Sequence, residues 1–105
     1  MKLIHVFALD GCPHTRSVSD MLLSYEHEMK DIVPPRLVIS HNEHKIHVHF
    51  NIIPNHVDNM KRICKTYNIP LIQSFPTIVK IENGNATIYK GNRTKRAFNH
   101  FIRNS

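Results

Sequence analysis

The sequence predicts an α/β chain, with a mixed four-stranded sheet flanked by helices in the order β-α-β-α-β-β-α. Three observations predict it. Short runs rich in β-branched and aromatic residues alternate with apolar stripes at helical spacing. Asn83-Gly84-Asn85 separates two such runs as a hairpin signal, which makes the last two strands antiparallel. The earlier strands are separated by helical stretches, which implies a right-handed crossover.

The elements follow in order. Residues 2–9 (KLIHVFAL) form a buried strand ended by Asp10-Gly11. Pro13, directly after Cys12, suits the first turn of a helix, where its missing N–H costs nothing. Val18, Leu22, Tyr25 and Met29 then recur at helical spacing, so the helix is expected to run on until just before Pro34-Pro35. Residues 36–41 and 45–53 read as two strands joined by the polar stretch Asn42-Glu43-His44. In the second of these, His47, His49 and Asn51 alternate with Ile46, Val48 and Phe50, a wetter face expected near a sheet edge. Val57, Met60, Cys64 and Tyr67 mark a second amphipathic helix, and residues 77–82 and 86–90 the hairpin. Thr94 is the expected N-cap of a last helix carrying Ala97, Phe98, Phe101 and Ile102.

With 105 residues the chain fits one domain, residues 1–105, and its 41% hydrophobic content speaks against disorder. No apolar run reaches the length of about 20 residues that spans a bilayer. The start, MKLIHVFALDG, lacks the long apolar core of a secretory signal, so location is otherwise open and cytoplasmic by default. Lys and Arg number 14 against 8 Asp and Glu. Those in the last quarter (Lys90, Arg93, Lys95, Arg96, Arg103) read as a solvated helix face before they read as a nucleic-acid surface. Oligomeric state is left open.

Two cysteines are too few for a disulfide scaffold or a thiolate zinc site, and Cys12 and Cys64 form no CxxC pair. His41, His44, His47 and His49 cluster within nine residues and could offer imidazoles to zinc or copper. A wet strand face explains them better, because no thiolate or acidic partner completes the set, so no metal is assigned. Asn85-Ala86-Thr87 and Asn92-Arg93-Thr94 match glycosylation acceptors and read as chance matches without a signal sequence.

Two stretches carry a family resemblance. Asp10-Gly11-Cys12-Pro13-His14-Thr15, between a strand and a helix, is one. Ser74-Phe75-Pro76-Thr77-Ile78-Val79, followed by Tyr89-Lys90-Gly91-Asn92-Arg93-Thr94 and a helix, is the other. Their order resembles the thioredoxin fold, and the second stretch resembles the carboxyl half of a protein disulfide isomerase catalytic domain. The likeness is to small stand-alone relatives of that isomerase with one active-site cysteine, virus-encoded ones included. Three departures stand out: Thr15 replaces the second active-site cysteine, there is no Trp, and Val6 falls where many members keep a buried acid. Residues 33–44 have no counterpart in the minimal fold, and residues 36–41 are expected to form an extra strand covering the sheet edge.

The resemblance implies thiol–disulfide exchange on disulfide-containing or unfolded protein substrates, with Cys12 as nucleophile and His14 and Thr15 beside it. It also implies a cis bond before Pro76 and substrate contact through Pro13, Phe75, Pro76 and Thr77. The residues alone support part of this. A cysteine at a helix N-terminus gains from unpaired N–H groups and the helix dipole, and a charged His14 would favour its thiolate further. Without the fold, Cys12 reads first as an unreactive loop cysteine before a proline-started helix. Cys64, on the apolar stripe towards the far end of its helix, reads as a buried structural cysteine out of disulfide reach.

One reactive thiol suffices to isomerise disulfides, and no bound cofactor is needed. Two alternatives stay open. One is a monothiol glutaredoxin-like oxidoreductase using glutathione, held by Lys2, Arg16 or Arg93. The other is a non-catalytic binding module.

Overall fold

The computed structural model describes residues 2–30, 36–70, 72 and 74–103. Along the chain lie β1 (Lys2–Leu9), α1 (Pro13–Leu23), β2 (Glu26–Lys30), β3 (Arg36–His41), β4 (His44–Ile53), α2 (Val57–Thr66), β5 (Thr77–Glu82), β6 (Asn85–Ile88) and α3 (Lys95–Arg103). The sheet has six strands rather than four, in the order β2-β3-β4-β1-β5-β6. β1 runs parallel to β4 and antiparallel to β5, which makes the sheet mixed as expected.

Alternation along β1 divides the core into two. Ile4, Val6 and Ala8 pack with Val18 and Leu22 of α1 and with Phe98 and Ile102 of α3. Phe7 packs on the opposite face with Met60 and Ile63 of α2 and with Val79 and Ile81. Helices therefore cover both faces, each burying its own stripe.

The first helix is shorter than its apolar spacing predicts. It ends at Leu23, where the Ser24 N–H donates to the Asp20 and Met21 carbonyls and the Ser24 hydroxyl donates to Met21 as well. Tyr25 is still buried, but beyond the helix. Its ring meets Phe98 edge-on, and its hydroxyl donates to Asn99 Oδ1 and lies 3.2 Å from the Lys95 carbonyl. Glu26–Lys30 then forms the edge strand β2, with Met29 61% exposed instead of on a helical stripe. Pairing with β3 overrides the modest helical preference of Glu, Met and Lys. Pro34-Pro35 lies outside the described residues.

Residues 36–41 do form an extra strand, but an inner one, since β2 covers it. β4 is likewise interior, between β3 and β1, so its polar alternation does not mark a sheet edge. Asn51 is fully buried and accepts a hydrogen bond at 2.5 Å from Asn59 of α2. His5, opposite His49 on β1, is buried against Phe7 and His49, and its Nδ1 has no hydrogen-bond partner. Burial above all, with His49 and Arg62 nearby, pushes its pKa down to about 4.

Both short hairpins turn through pairs of positive φ, Asn42-Glu43 and Asn83-Gly84. Thr94 caps α3 as expected, its hydroxyl accepting from the Ala97 N–H at 3.2 Å.

Candidate active site at Cys12

The site is built where β1 hands over to α1. Asp10 donates its N–H to the Ile53 carbonyl at 3.0 Å, which ties the ends of β1 and β4 together. Gly11 then turns the chain at φ +73, a region that favours glycine. Cys12 follows as the N-cap of α1 with extended backbone (φ −76, ψ 126), and Pro13 opens the helix. The thiol therefore sits where the first helical N–H groups lack carbonyl partners.

Those groups act on the thiol. Its pKa is lowered, first by the His14 N–H, against an opposing contribution from partial desolvation. The N–H and hydroxyl of Thr15 and the charge of Arg93 lower it further. Thr15 lies one turn on, its N–H donating to the Cys12 carbonyl at 3.1 Å and its hydroxyl 3.4 Å from the Leu9 carbonyl.

Arg93 is the participant that short-range reading of the sequence misses as a neighbour of Cys12. Its Nη1 lies 3.3 Å from His14 Nδ1. Guanidinium has only donors, and its charge is one that acts on the Cys12 thiol. The turn before Arg93 is tightly folded. Tyr89 packs on Phe98 and Phe101 and donates its hydroxyl to the Asn92 carbonyl. A Cβ on Gly91 would lie 2.7 Å from the Tyr89 hydroxyl oxygen, so a side chain there would have to displace the Tyr89 ring. The Tyr-x-Gly-x-Arg-Thr pattern was the available signal, since it sets a compact turn in front of a basic side chain.

The Phe75-Pro76 bond is cis, as the resemblance implied. Thr77 pairs with Phe7 in the β1–β5 ladder, so Phe75, Pro76 and Thr77 lie at the carboxyl end of β1, the end that Cys12 follows. Thr77 donates its hydroxyl to the Ser74 carbonyl at 2.6 Å, while Phe75 packs against the apolar cluster beneath α2. The Ile53-Pro54 bond, in the connection from β4 to α2, is also cis, and nothing in the sequence pointed to it.

Other candidates are placed elsewhere. Cys64 lies near the carboxyl end of α2, half-buried rather than fully buried, and burial raises its pKa. Both cysteines are free thiols. Lys2 stands at the opposite end of β1 from Cys12, held by the Ile102 carbonyl and, at 3.6 Å, by Glu82, so it cannot hold glutathione at the thiol. The four histidines do not converge: His41 and His44 face each other across the β3–β4 turn, whereas His47 and His49 alternate onto the other face of the sheet. Among the described residues, no helix is long and apolar enough to cross a membrane.

No protein-family model matches the sequence, and no curated protein matches it. A match exists among solved structures. The first thioredoxin domain of mouse protein disulfide-isomerase A4 is 18% identical and superposes with a TM-score of 0.55. The alignment covers 97% of this chain and 61% of that one. At this identity the likeness concerns architecture alone, and with helices on both faces of a mixed sheet the chain has the thioredoxin fold.

Proposed function

We propose that the chain catalyses thiol–disulfide exchange on protein substrates, and that it isomerises disulfides through a mixed disulfide at Cys12. The observation that carries this reading is the convergence on one half-buried thiol of two backbone N–H groups, a hydroxyl and an arginine. All four favour the thiolate, which is the nucleophile in the exchange.

In the first step the Cys12 thiolate attacks one sulfur of a substrate disulfide. A Cys12–substrate disulfide forms, and the other substrate sulfur leaves as a thiolate. That thiolate attacks a different disulfide of the same substrate. A thiolate freed by this rearrangement finally displaces Cys12, so no net electrons are exchanged. Phe75, Pro76 and Thr77, at the same end of the sheet, are the proposed contacts for the substrate backbone, together with Pro13. With Thr15 in place of a second thiol, release depends on a substrate thiol or an external one such as glutathione.

Reactivation of a disulfide-scrambled test protein checks the proposal. In trace thiol, wild type and Cys64→Ser should restore activity and Cys12→Ser should not. Rescue that rises only in proportion to added glutathione would replace isomerisation with a glutaredoxin-like reaction. Equal rescue by Cys12→Ser would leave a binding module.

A further inference from the structure

Charged side chains are distributed unevenly along the strand direction. Carboxylates gather at the end of the sheet away from Cys12. Glu82 stands there opposite Lys2, Glu43 in the β3–β4 turn and Glu26 opposite Ser40 near the end of β3. Near Cys12 stand Asp10 and, in the first turn of α2, Asp58.

The last hairpin and the turn after it deliver cations to the Cys12 end. The Tyr89 N–H donates to the Ile78 carbonyl at 2.8 Å, which carries the β5–β6 pairing past Ile88. Lys90 therefore follows at the end where Thr77 begins β5. Arg93 comes next, its Nη1 3.3 Å from His14 Nδ1, and its charge acts on the Cys12 thiol. Lys90 and Arg93 are both exposed, and among the described residues neither forms an ion pair with a carboxylate. A guanidinium presents a planar fork of N–H donors that matches a carboxylate, and the contact with His14 occupies one nitrogen. Donors remain for a carboxylate that a substrate brings in.

We propose, on the footing of the thiol exchange above, that the site selects disulfides whose reacting cysteine is flanked by acidic side chains, with Arg93 as the selecting residue. Along an extended chain, a side chain two residues from that cysteine lies roughly 7 Å away, within reach of a cation that already acts on Cys12. Lys90 adds to the attraction and Asp10 opposes it, so the selection is a graded preference. For charges roughly 7 Å apart in water, replacing a negative neighbour by a positive one slows the encounter by about five- to tenfold at low ionic strength.

The test uses the full chain carrying Cys64→Ser and peptides of equal length, each with one cysteine in a mixed disulfide with 5-thio-2-nitrobenzoate and flanked by Asp, Ser or Lys. The Cys12 thiolate attacks the peptide sulfur, the Cys12–peptide disulfide forms, and the coloured aryl thiolate leaves and is counted. Dividing each rate by that of the same peptide with 2-mercaptoethanol removes the peptide's own reactivity. In the ratio between peptides the nucleophilicity of Cys12 cancels, so a variant that also changes the thiol pKa still reports selection. The Asp peptide should react about five- to tenfold faster than the Lys peptide at low salt, and the ratio should fall towards one in about 1 M salt. Arg93→Gln should bring the ratio below about twofold, Arg93→Lys should keep most of it, and Lys61→Gln, on the exposed side of α2, should leave it unchanged. Equal rates for all peptides would overturn the selection while leaving the exchange chemistry standing. An equal loss of the ratio in Arg93→Gln and Lys61→Gln would overturn the role of Arg93 in favour of diffuse attraction by the chain's formal net charge of +6. Release no faster than by Cys12→Ser with every peptide would overturn the exchange reading itself, and the selection with it.

Discussion

Phe98→Ala is expected to destabilise the fold by about 3–5 kcal/mol, the usual cost of emptying a well-packed aromatic site. Phe98 is 0% exposed and joins α3 to the sheet. Its ring also meets three others, with centroids 6.1 Å from Tyr25, 5.6 Å from Tyr89 and 5.9 Å from Phe101. Truncation removes those contacts and leaves a cavity that rigid neighbours cannot fill. Domains of this size are stable by about 5–15 kcal/mol, so the variant should sit near the edge of unfolding. Urea denaturation would show a midpoint lowered by a large fraction with the slope nearly unchanged. A loss below about 1 kcal/mol would mean that α3 is not anchored through this ring. The consequence reaches the active site, because Tyr89 packs on Phe98 and the turn it holds delivers Arg93 to His14.

The second large effect is expected from Thr15→Cys. Thr15 lies one helical turn from Cys12, its N–H bonded to the Cys12 carbonyl and its hydroxyl acting on the Cys12 thiol. A thiol there is within the reach a disulfide needs. It would attack the Cys12–substrate disulfide, release the substrate as a thiol and leave Cys12 joined to the introduced sulfur in a disulfide. The substrate is then reduced by two electrons, at the expense of the new pair. Escape from the mixed disulfide should speed up by about a hundredfold over dilute external thiol, since the attack is intramolecular. Trapping mixed disulfides by acid quench and counting free thiols would measure it. An unchanged lifetime of the mixed disulfide would show that position 15 does not face the reacting sulfur.

Much of this architecture is legible along the sequence where the signal is local. Asp10-Gly11 ends β1, Pro13 opens α1, Asn83-Gly84 turns the last hairpin and Thr94 caps α3, each through chemistry confined to a few residues. The position of Cys12 as an N-cap follows from the same local signals. What is not legible depends on distant partners. Glu26–Lys30 has no strand pattern of its own and becomes a strand by pairing with β3, while the spacing of Tyr25 and Met29 mimics a helical stripe. His47, His49 and Asn51 resemble a wet edge, yet α2 folds over Asn51 and β3 covers the outer side of β4. Arg93 and His14 are 79 residues apart, so their meeting could be inferred only through the turn that Tyr89 and Gly91 shape.

The central claim is that Cys12 is an activated thiolate. The most direct measurement is the pH dependence of iodoacetamide alkylation at Cys12 and Cys64, resolved by peptide mass in the native protein. The N–H groups of His14 and Thr15, the Thr15 hydroxyl and Arg93 stabilise the anion, so Cys12 should lose its proton at lower pH than a free cysteine, whose pKa is about 8.5. Burial disfavours the Cys64 anion, so its curve should lie above that value. Two separated curves are expected, with Cys12 the faster at neutral pH. Coincident curves, or a Cys12 curve at or above that of a free cysteine, would contradict the claim.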